Sequence, residues 1–269
     1  MIPKLLFEIA QCSNFSALTT ENNFNHPCFD IVNFQRFDDA PLNMNFQIPE
    51  PWNGDIINAP ILIVSSNPSF SVDEMYPDFT WPKSIIADFF INRFKNRGPD
   101  LSWVYDNRIM KKSGARGKSV RYWSSIQKRV EELIDRKSVP GIDYCITELV
   151  HCKSVQEIGV RKALPECSKL FFASKNNISG ACIIIAIGKH VRDYFNNKPE
   201  FINKPIIYLP APNARLPKKL SDHYSENEIE GFRNIFNSCK PIKKDIIYSE
   251  IELPSEKDLM DFFNNFYNI

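Results

Sequence analysis

Four apolar runs, three of them ending in small polar residues, glycine or proline, limit what this chain can fold into. The first is Ile61-Leu62-Ile63-Val64, which stops at Ser65-Ser66-Asn67-Pro68. Unbroken aliphatic residues without polar alternation predict a strand buried on both faces, delivering its C-terminal end into a tight loop. Similar runs lie at 142–150, 182–187 and 205–209, with helical patterns between them. Strands that alternate with helices predict an α/β fold: a four-stranded, mainly parallel sheet flanked by helices. In such sheets ligands bind beyond the carboxyl ends of the strands, which makes Asn67 a candidate for chemistry. Ordinary turn chemistry accounts equally for an Asn-Pro pair.

Helical spacing predicts helices at 4–11, 83–94, 120–137, 165–175, 190–195, 224–238 and 255–267, the fourth beginning at Pro165 with Cys167 in its first turn. The Asn- and Pro-containing stretch through Cys28 reads as irregular, and 48–54 as an extended arm with a turn at Asn53-Gly54. The aromatic, proline-bearing segment Tyr76 to Trp81 suits a loop roofing a pocket.

The chain has 269 residues and a net charge of +1, so a nucleic-acid partner requires locally concentrated charge. That charge lies between 102 and 123: Arg108, Lys111, Lys112, Arg116, Lys118 and Arg121, interrupted by Gly114 and Gly117 and flanked by Trp103, Tyr105, Tyr122 and Trp123. Basic and aromatic residues around a glycine-rich turn fit contact with a nucleic-acid backbone; a solvated hairpin fits the charge equally well. Gly117-Lys118-Ser119 lacks the earlier glycine and preceding buried strand of a phosphate loop. No run approaches the roughly 18 apolar residues of a membrane span, and a cytoplasmic location is expected.

Seven cysteines in a reducing compartment are expected to be thiols or metal ligands. Cys145 and Cys182 lie in apolar runs and read as core, and Cys239 has no nearby partner in sequence. Cys12, Cys28, Cys152 and Cys167 lie in polar surroundings and form a candidate set of four thiolates, for iron–sulfur or zinc. His151 is an alternative zinc ligand, and His190 reads as a helix-start residue.

Three strand ends resemble the uracil-DNA glycosylase superfamily. Ser65-Ser66-Asn67-Pro68-Ser69 is similar to its first motif. Pro210-Ala211-Pro212-Asn213-Ala214-Arg215-Leu216 is similar to its second, usually His-Pro followed by small residues and a wedge. Glu148-Leu149-Val150-His151-Cys152 with Cys167 resembles the Asn-x-x-Lys-Cys…Cys segment of iron–sulfur members. A closer likeness, through Pro49-Glu50-Pro51-Trp52, is to bacterial glycosylase-like proteins that include phage-defence enzymes acting on modified cytosine.

The resemblance implies a single domain over residues 1–269, with a DNA-contacting insertion near 76–137, that flips a base out of DNA and hydrolyses its N-glycosidic bond. It implies a monomer and, for the cysteines, a 4Fe-4S cluster. Asn67 would steady the attacking water or the sugar cation. Ser65, Ser66, Ser69 and Phe70 would line the base pocket, with Tyr76 or Trp81 as other stacking candidates. Lys111, Lys112, Arg116, Lys118, Arg121, Asn213, Arg215 and Leu216 would contact DNA.

Three departures from the family pattern bear on specificity. Glu148 stands where many members carry an Asn that reads uracil; a carboxylate accepts from a cytosine amine, and if protonated it donates to N3. Pairing with Lys153 or Arg161 is the structural alternative for Glu148. Ser69 stands where a bulky Tyr excludes substituents at C5. Both point to C5-modified (hydroxymethylated or glucosylated) cytosine of phage DNA, with uracil as the alternative. Ala211 occupies the slot of the catalytic His, a loss that commonly costs on the order of a hundredfold in rate. A catalytically impaired sensor of modified bases, or an enzyme acting on free nucleosides, are the rival readings.

Overall fold

The computed structural model describes residues 2–36, 46–198, 204–212, 219–239 and 251–267. In chain order the elements are α1 (Ile2–Ala10), α2 (Ser13–Thr20), α3 (Phe29–Asn33), β1 (Ile61–Ser65), α4 (Lys83–Ile91), β2 (Val104–Tyr105), β3 (Arg108–Met110) and β4 (Arg116–Ser119). There follow α5 (Arg121–Ile134), β5 (Tyr144–Glu148), α6 (Val160–Ile178), β6 (Ile183–Ile187), α7 (Lys189–Asn196), β7 (Ile206–Leu209), α8 (Glu226–Ser238) and α9 (Glu256–Tyr267).

The four apolar runs form one parallel sheet in the order β5-β1-β6-β7, as expected for the α/β class. Every residue of β1, β5 and β6 is buried, which explains their lack of polar alternation. Successive side chains still part to opposite faces. Leu62, Val64, Cys145, Ile184 and Ala186 join a core with α1, α4, α7 and α9, whereas Ile61, Ile63, Tyr144, Ile146, Ile183 and Ile185 join one with α5 and α8. Parallel register sets Ser65 opposite Glu148, so the two strands deliver their ends side by side.

Residues 104–119 form an antiparallel sheet, β2-β3-β4, whose first turn places Asp106 and Asn107 at φ 48° and 58°. Trp103, Met110 and Trp123 sink into the two main cores, which ties this segment to the sheet. No helix of the described residues is long and apolar enough to cross a membrane.

The structure corrects three expectations. The stretch between Cys12 and Cys28 is irregular only over 21–28: helix α2 fills its first part, and α2 and α3 bury Phe15, Leu18, Ile31 and Val32 against residues that follow β5. Helix α6 starts at Val160, five residues before Pro165, and tolerates the one missing hydrogen bond because its buried face runs from Val160 through Cys167 to Phe172. Its start is set by Gly159 at φ 76°, where a Cβ would lie 2.5 Å from the Ile31 nitrogen. Cys182 and Cys239 form a disulfide with Cα atoms 6.0 Å apart; the fold brings together residues separated by 57 positions.

Candidate functional site

The loops after β1 and β5 are laced to each other. Leu149 and Val150 N–H donate to the Ser65 and Ser66 carbonyls at 2.9 Å, Ser154 N–H donates to Pro68 O at 3.2 Å, and Phe70 N–H to Ser154 O at 3.3 Å. Asn67 is half-buried in this frame. Its Nδ2 donates to Ser154 Oγ and to Pro68 O, both at 3.0 Å, while its Oδ1 accepts no hydrogen bond from the described residues. A fixed amide with an unused acceptor can orient a water or face a developing positive charge.

Ser65 is buried, and its hydroxyl pairs with Tyr122 OH. Ser66 donates to Glu157 Oε1 at 2.5 Å, and the other oxygen of Glu157 lies 3.6 Å from His190 Nε2. Ser69 is exposed, and half-buried Phe70 meets the Phe34 ring edge-on at 5.8 Å. Tyr122, Ser154, Glu157 and His190 were missed as site residues. Each lies far from Asn67 in sequence: the loop lacing brings in Ser154 and Glu157, while Tyr122 and His190 reach Ser65 and Glu157 from the starts of α5 and α7.

Glu148 closes the end of β5 with 2% of its surface exposed. Its Oε2 is fully buried without a hydrogen-bond partner. Burial, then the negative charge of Glu50, pushes this carboxyl well above the usual range; Lys175, Arg93 and Lys153 only partly offset them. Burial thus favours the neutral form of Glu148, the form that can donate a hydrogen bond to a ligand. Lys175 Nζ binds the Glu148 backbone carbonyl at 2.6 Å and Thr147 Oγ1 at 2.9 Å, and burial pushes it down to about 8.

The proposed salt-bridge partners of Glu148 are engaged elsewhere or distant. Lys153 pairs with Glu74 at 3.0 Å, and Arg161 lines an open groove between α6 and α7. Beneath the site runs a charge network that the sequence reading missed. Arg93 reaches Glu50 at 2.8 Å and Glu74 at 2.5 Å, Tyr76 OH donates to Glu50 at 3.0 Å, and Asn53 Nδ2 donates to Glu50 at 2.5 Å. An arginine two residues past the end of the apolar helix α4 was the available signal.

At the neighbouring strand ends Ala211 is half-buried, 3.8 Å from where a Cβ on Gly188 would lie. The adjoining wall holds Pro210, Pro212 and Ser125. Alanine brings no side-chain donor to this slot. Asn213, Arg215 and Leu216 lie outside the described residues.

The basic segment divides in two. Lys112, Lys118 and Arg121 are exposed, whereas half-exposed Lys111 lies 3.6 Å from Asp73. Arg116 is a correction: its guanidinium donates to the Ser102 carbonyl at 2.6 Å and the Pro99 carbonyl at 2.9 Å, so it clamps its own fold. Tyr76 and Trp81 are 3% and 7% exposed and pack with Phe89, which removes them as stacking candidates and makes their segment core, not roof. Trp103 and Trp123 are likewise buried.

Cys12, Cys28, Cys152 and Cys167 line one void of about 10 Å³, with His151 beside them. Burial and the neighbouring thiols push Cys28 up to about 12, and burial does the same for Cys167 despite a backbone hydrogen bond from His151. His151 Nδ1 meets the Glu50 carbonyl at 2.5 Å, which makes it the protonated nitrogen, and Nε2 is buried without a partner. Four soft donors and an orphaned imidazole nitrogen suit a soft metal centre in their chemistry. The void holds about one water, so loading requires the thiols to part. Among the described residues no group of three or more His, Cys, Asp or Glu side chains is arranged to hold a metal ion. No protein-family profile and no curated protein sequence matches the chain.

Proposed function

We propose that the protein is a DNA glycosylase of the uracil-DNA glycosylase type that excises a C5-modified cytosine of the kind carried by phage DNA. The observation that carries this reading is Glu148: a buried carboxyl pushed well above its usual range, its Oε2 without a hydrogen-bond partner among the described residues, at the same sheet edge as Asn67. An orphaned polar group in a core costs about 1–3 kcal/mol, an expense understandable where a ligand completes the bond.

In the proposed reaction the flipped base lies against Glu148, and exposed Ser69 leaves room at C5. The C1′–N1 bond breaks with its electron pair going to the base. Asn67 Oδ1 holds the water that adds to C1′. The Glu148 proton passes to the departing cytosine, and the proton released by the water restores the carboxyl. Tyr122 holds the Ser65 hydroxyl at the strand end beside Glu148. Lys112, Lys118 and Arg121 are the cations available for phosphates. The four cysteines would hold a 4Fe-4S cluster that fastens α2 and α3 to the loop after β5, away from the reacting atoms; zinc is the alternative.

Ala211 supports a second reading, a binding module that flips a modified base without cutting it. The test is to incubate the protein, its Ala211→His variant and its Glu148→Gln variant with DNA containing uracil, cytosine, hydroxymethylcytosine or glucosylated hydroxymethylcytosine, and to count abasic sites. Release of modified cytosine alone, lost in Glu148→Gln, is the expected result. Release of uracil refutes the specificity, and tight binding without abasic sites favours the module. Iron, sulfide and zinc analysis of the purified protein tests the cluster.

A further inference from the structure

Helices α6 and α7 each join two strands of the parallel sheet, so both run back from the strand ends. Phe172 of α6 meets the rings of Tyr194 and Phe195 of α7 at 5.5 and 5.4 Å. Outside this contact the two helices leave an open groove of about 510 Å³. Each helix lines it with one side. On α6 the lining runs from Arg161 through Leu164 and Pro165 to Lys169, and on α7 from His190 through Tyr194 to Lys198 just past its end. That is the three-and-four spacing of a single helix face.

The face of α6 has a definite order. Arg161 and Lys169 are exposed, and neither side chain has an ion pair or hydrogen bond among the described residues. They stand eight residues apart, which is about 12 Å along a helix. Half-buried Leu164 and exposed Pro165 lie between them, and Tyr194 adds a half-buried ring from α7. Lys198 is the third cation of the lining and Asp193 its one acid, so the groove is net cationic.

This order narrows the ligand. A phosphate backbone would use the cations and leave the apolar residues unanswered. An uncharged apolar ligand would leave Arg161 and Lys169 unanswered. A ligand that answers both carries apolar side chains flanked by carboxylates. Grooves between helices take such a pattern from an amphipathic helix, and Tyr and Arg are residue types enriched at the centre of such contacts. We propose that the α6–α7 groove docks an acidic amphipathic helix of a protein partner. Its two carboxylates, about two turns apart, lie against Arg161 and Lys169, and the apolar residues between them lie against Leu164, Pro165 and Tyr194. The groove is separate from the strand-end site and does not depend on the glycosylase reading.

The test is fluorescence anisotropy of the full chain with a labelled helical peptide that carries two glutamates eight positions apart and two leucines between them on the same face. Two control peptides replace the glutamates by lysines, or the leucines by serines. The expected result is saturable binding of the first peptide, with each control weaker by roughly tenfold or more. Combined Arg161→Glu and Lys169→Glu should weaken the first peptide by about tenfold. Should that variant fail to fold, Lys169→Glu alone carries the test, with a loss of about threefold. Lys128→Glu makes the same charge change at an exposed position of α5, across the sheet, and should leave the affinity unchanged. The proposal is overturned if the acidic peptide does not bind, if either control binds as tightly, or if Lys128→Glu weakens binding as much as the groove variant. Displacement of the peptide by single-stranded DNA would also overturn it, in favour of a nucleic-acid groove. Abasic-site release is a separate readout, so the two readings stand or fall apart.

Discussion

Glu50 and Glu148 are both buried, and their surroundings push them in opposite directions. Burial pushes each carboxyl up. At Glu50 this is outweighed by Arg93, Lys153, Asn53 and Tyr76, and the group is held below the usual range. At Glu148 no side chain among the described residues donates to Oε2, Glu50 adds repulsion, and the group is held well above the usual range. Arg93 is further enclosed by the rings of Phe89 at 4.7 Å and Trp123 at 5.2 Å. A buried acid with every lone pair answered is architecture. One left unanswered at a strand end is where a ligand is expected.

The sharpest way to break the contrast is Arg93→Met. It removes the one contacting cation of Glu50 and leaves Glu74 with Lys153 alone, and should cost about 3–5 kcal/mol, or abolish folding, in urea denaturation. A loss below about 1 kcal/mol would mean that the network does not hold the fold. Next is Glu148→Gln, which should lower base release by on the order of a hundredfold while changing stability at neutral pH by less than about 1 kcal/mol. A stability loss as large as that of Arg93→Met would make Glu148 structural too.

The pH dependences should have opposite signs. Glu148 lies above its ordinary 4.5, so its contribution is complete below 4.5 and is lost as pH rises through the folded value. Glu50 lies below 4.5, so its contribution is present above 4.5 and is lost as pH falls through the folded value. Lys175, pushed down to about 8 from 10.5, contributes fully above 10.5 and loses this as pH falls through about 8. Thermal melts from pH 5 to 9 should show Glu148→Gln gaining on the parent as pH rises; parallel curves would refute the protonated carboxyl. The smallest effects repeat the comparison at the surface. Arg116→Ala should cost about 1–2 kcal/mol of stability, whereas Lys118→Ala should cost less than about 0.5 kcal/mol and lower the salt dependence of DNA binding by about one counterion. Equal stability losses would erase the distinction.

The strands were legible because burial on both faces leaves a continuous apolar signal within five or six residues. The site was legible in part. Asn67 and Glu148 fall at the ends of such runs, and parallel pairing brings strand ends together whatever the detail. The four cysteines were grouped by their polar surroundings, and the fold gathers them around one void. Partners were the illegible part. Arg116 reads like Lys118 until the carbonyls of Pro99 and Ser102 are found beneath it. Tyr76 and Trp81 read as a roof because a short aromatic, proline-bearing stretch has no period to reveal its buried side.

By itself the sequence determined the α/β class, the ends at which chemistry can sit and the residues available there, because periodicity and strand length are local properties of the chain. Only the tertiary structure decided which of two glutamates is pushed up and which down, which arginine is spent on its own backbone, and that Cys182 meets Cys239. Those outcomes depend on dielectric and on hydrogen-bond partners from distant segments, which no local pattern encodes.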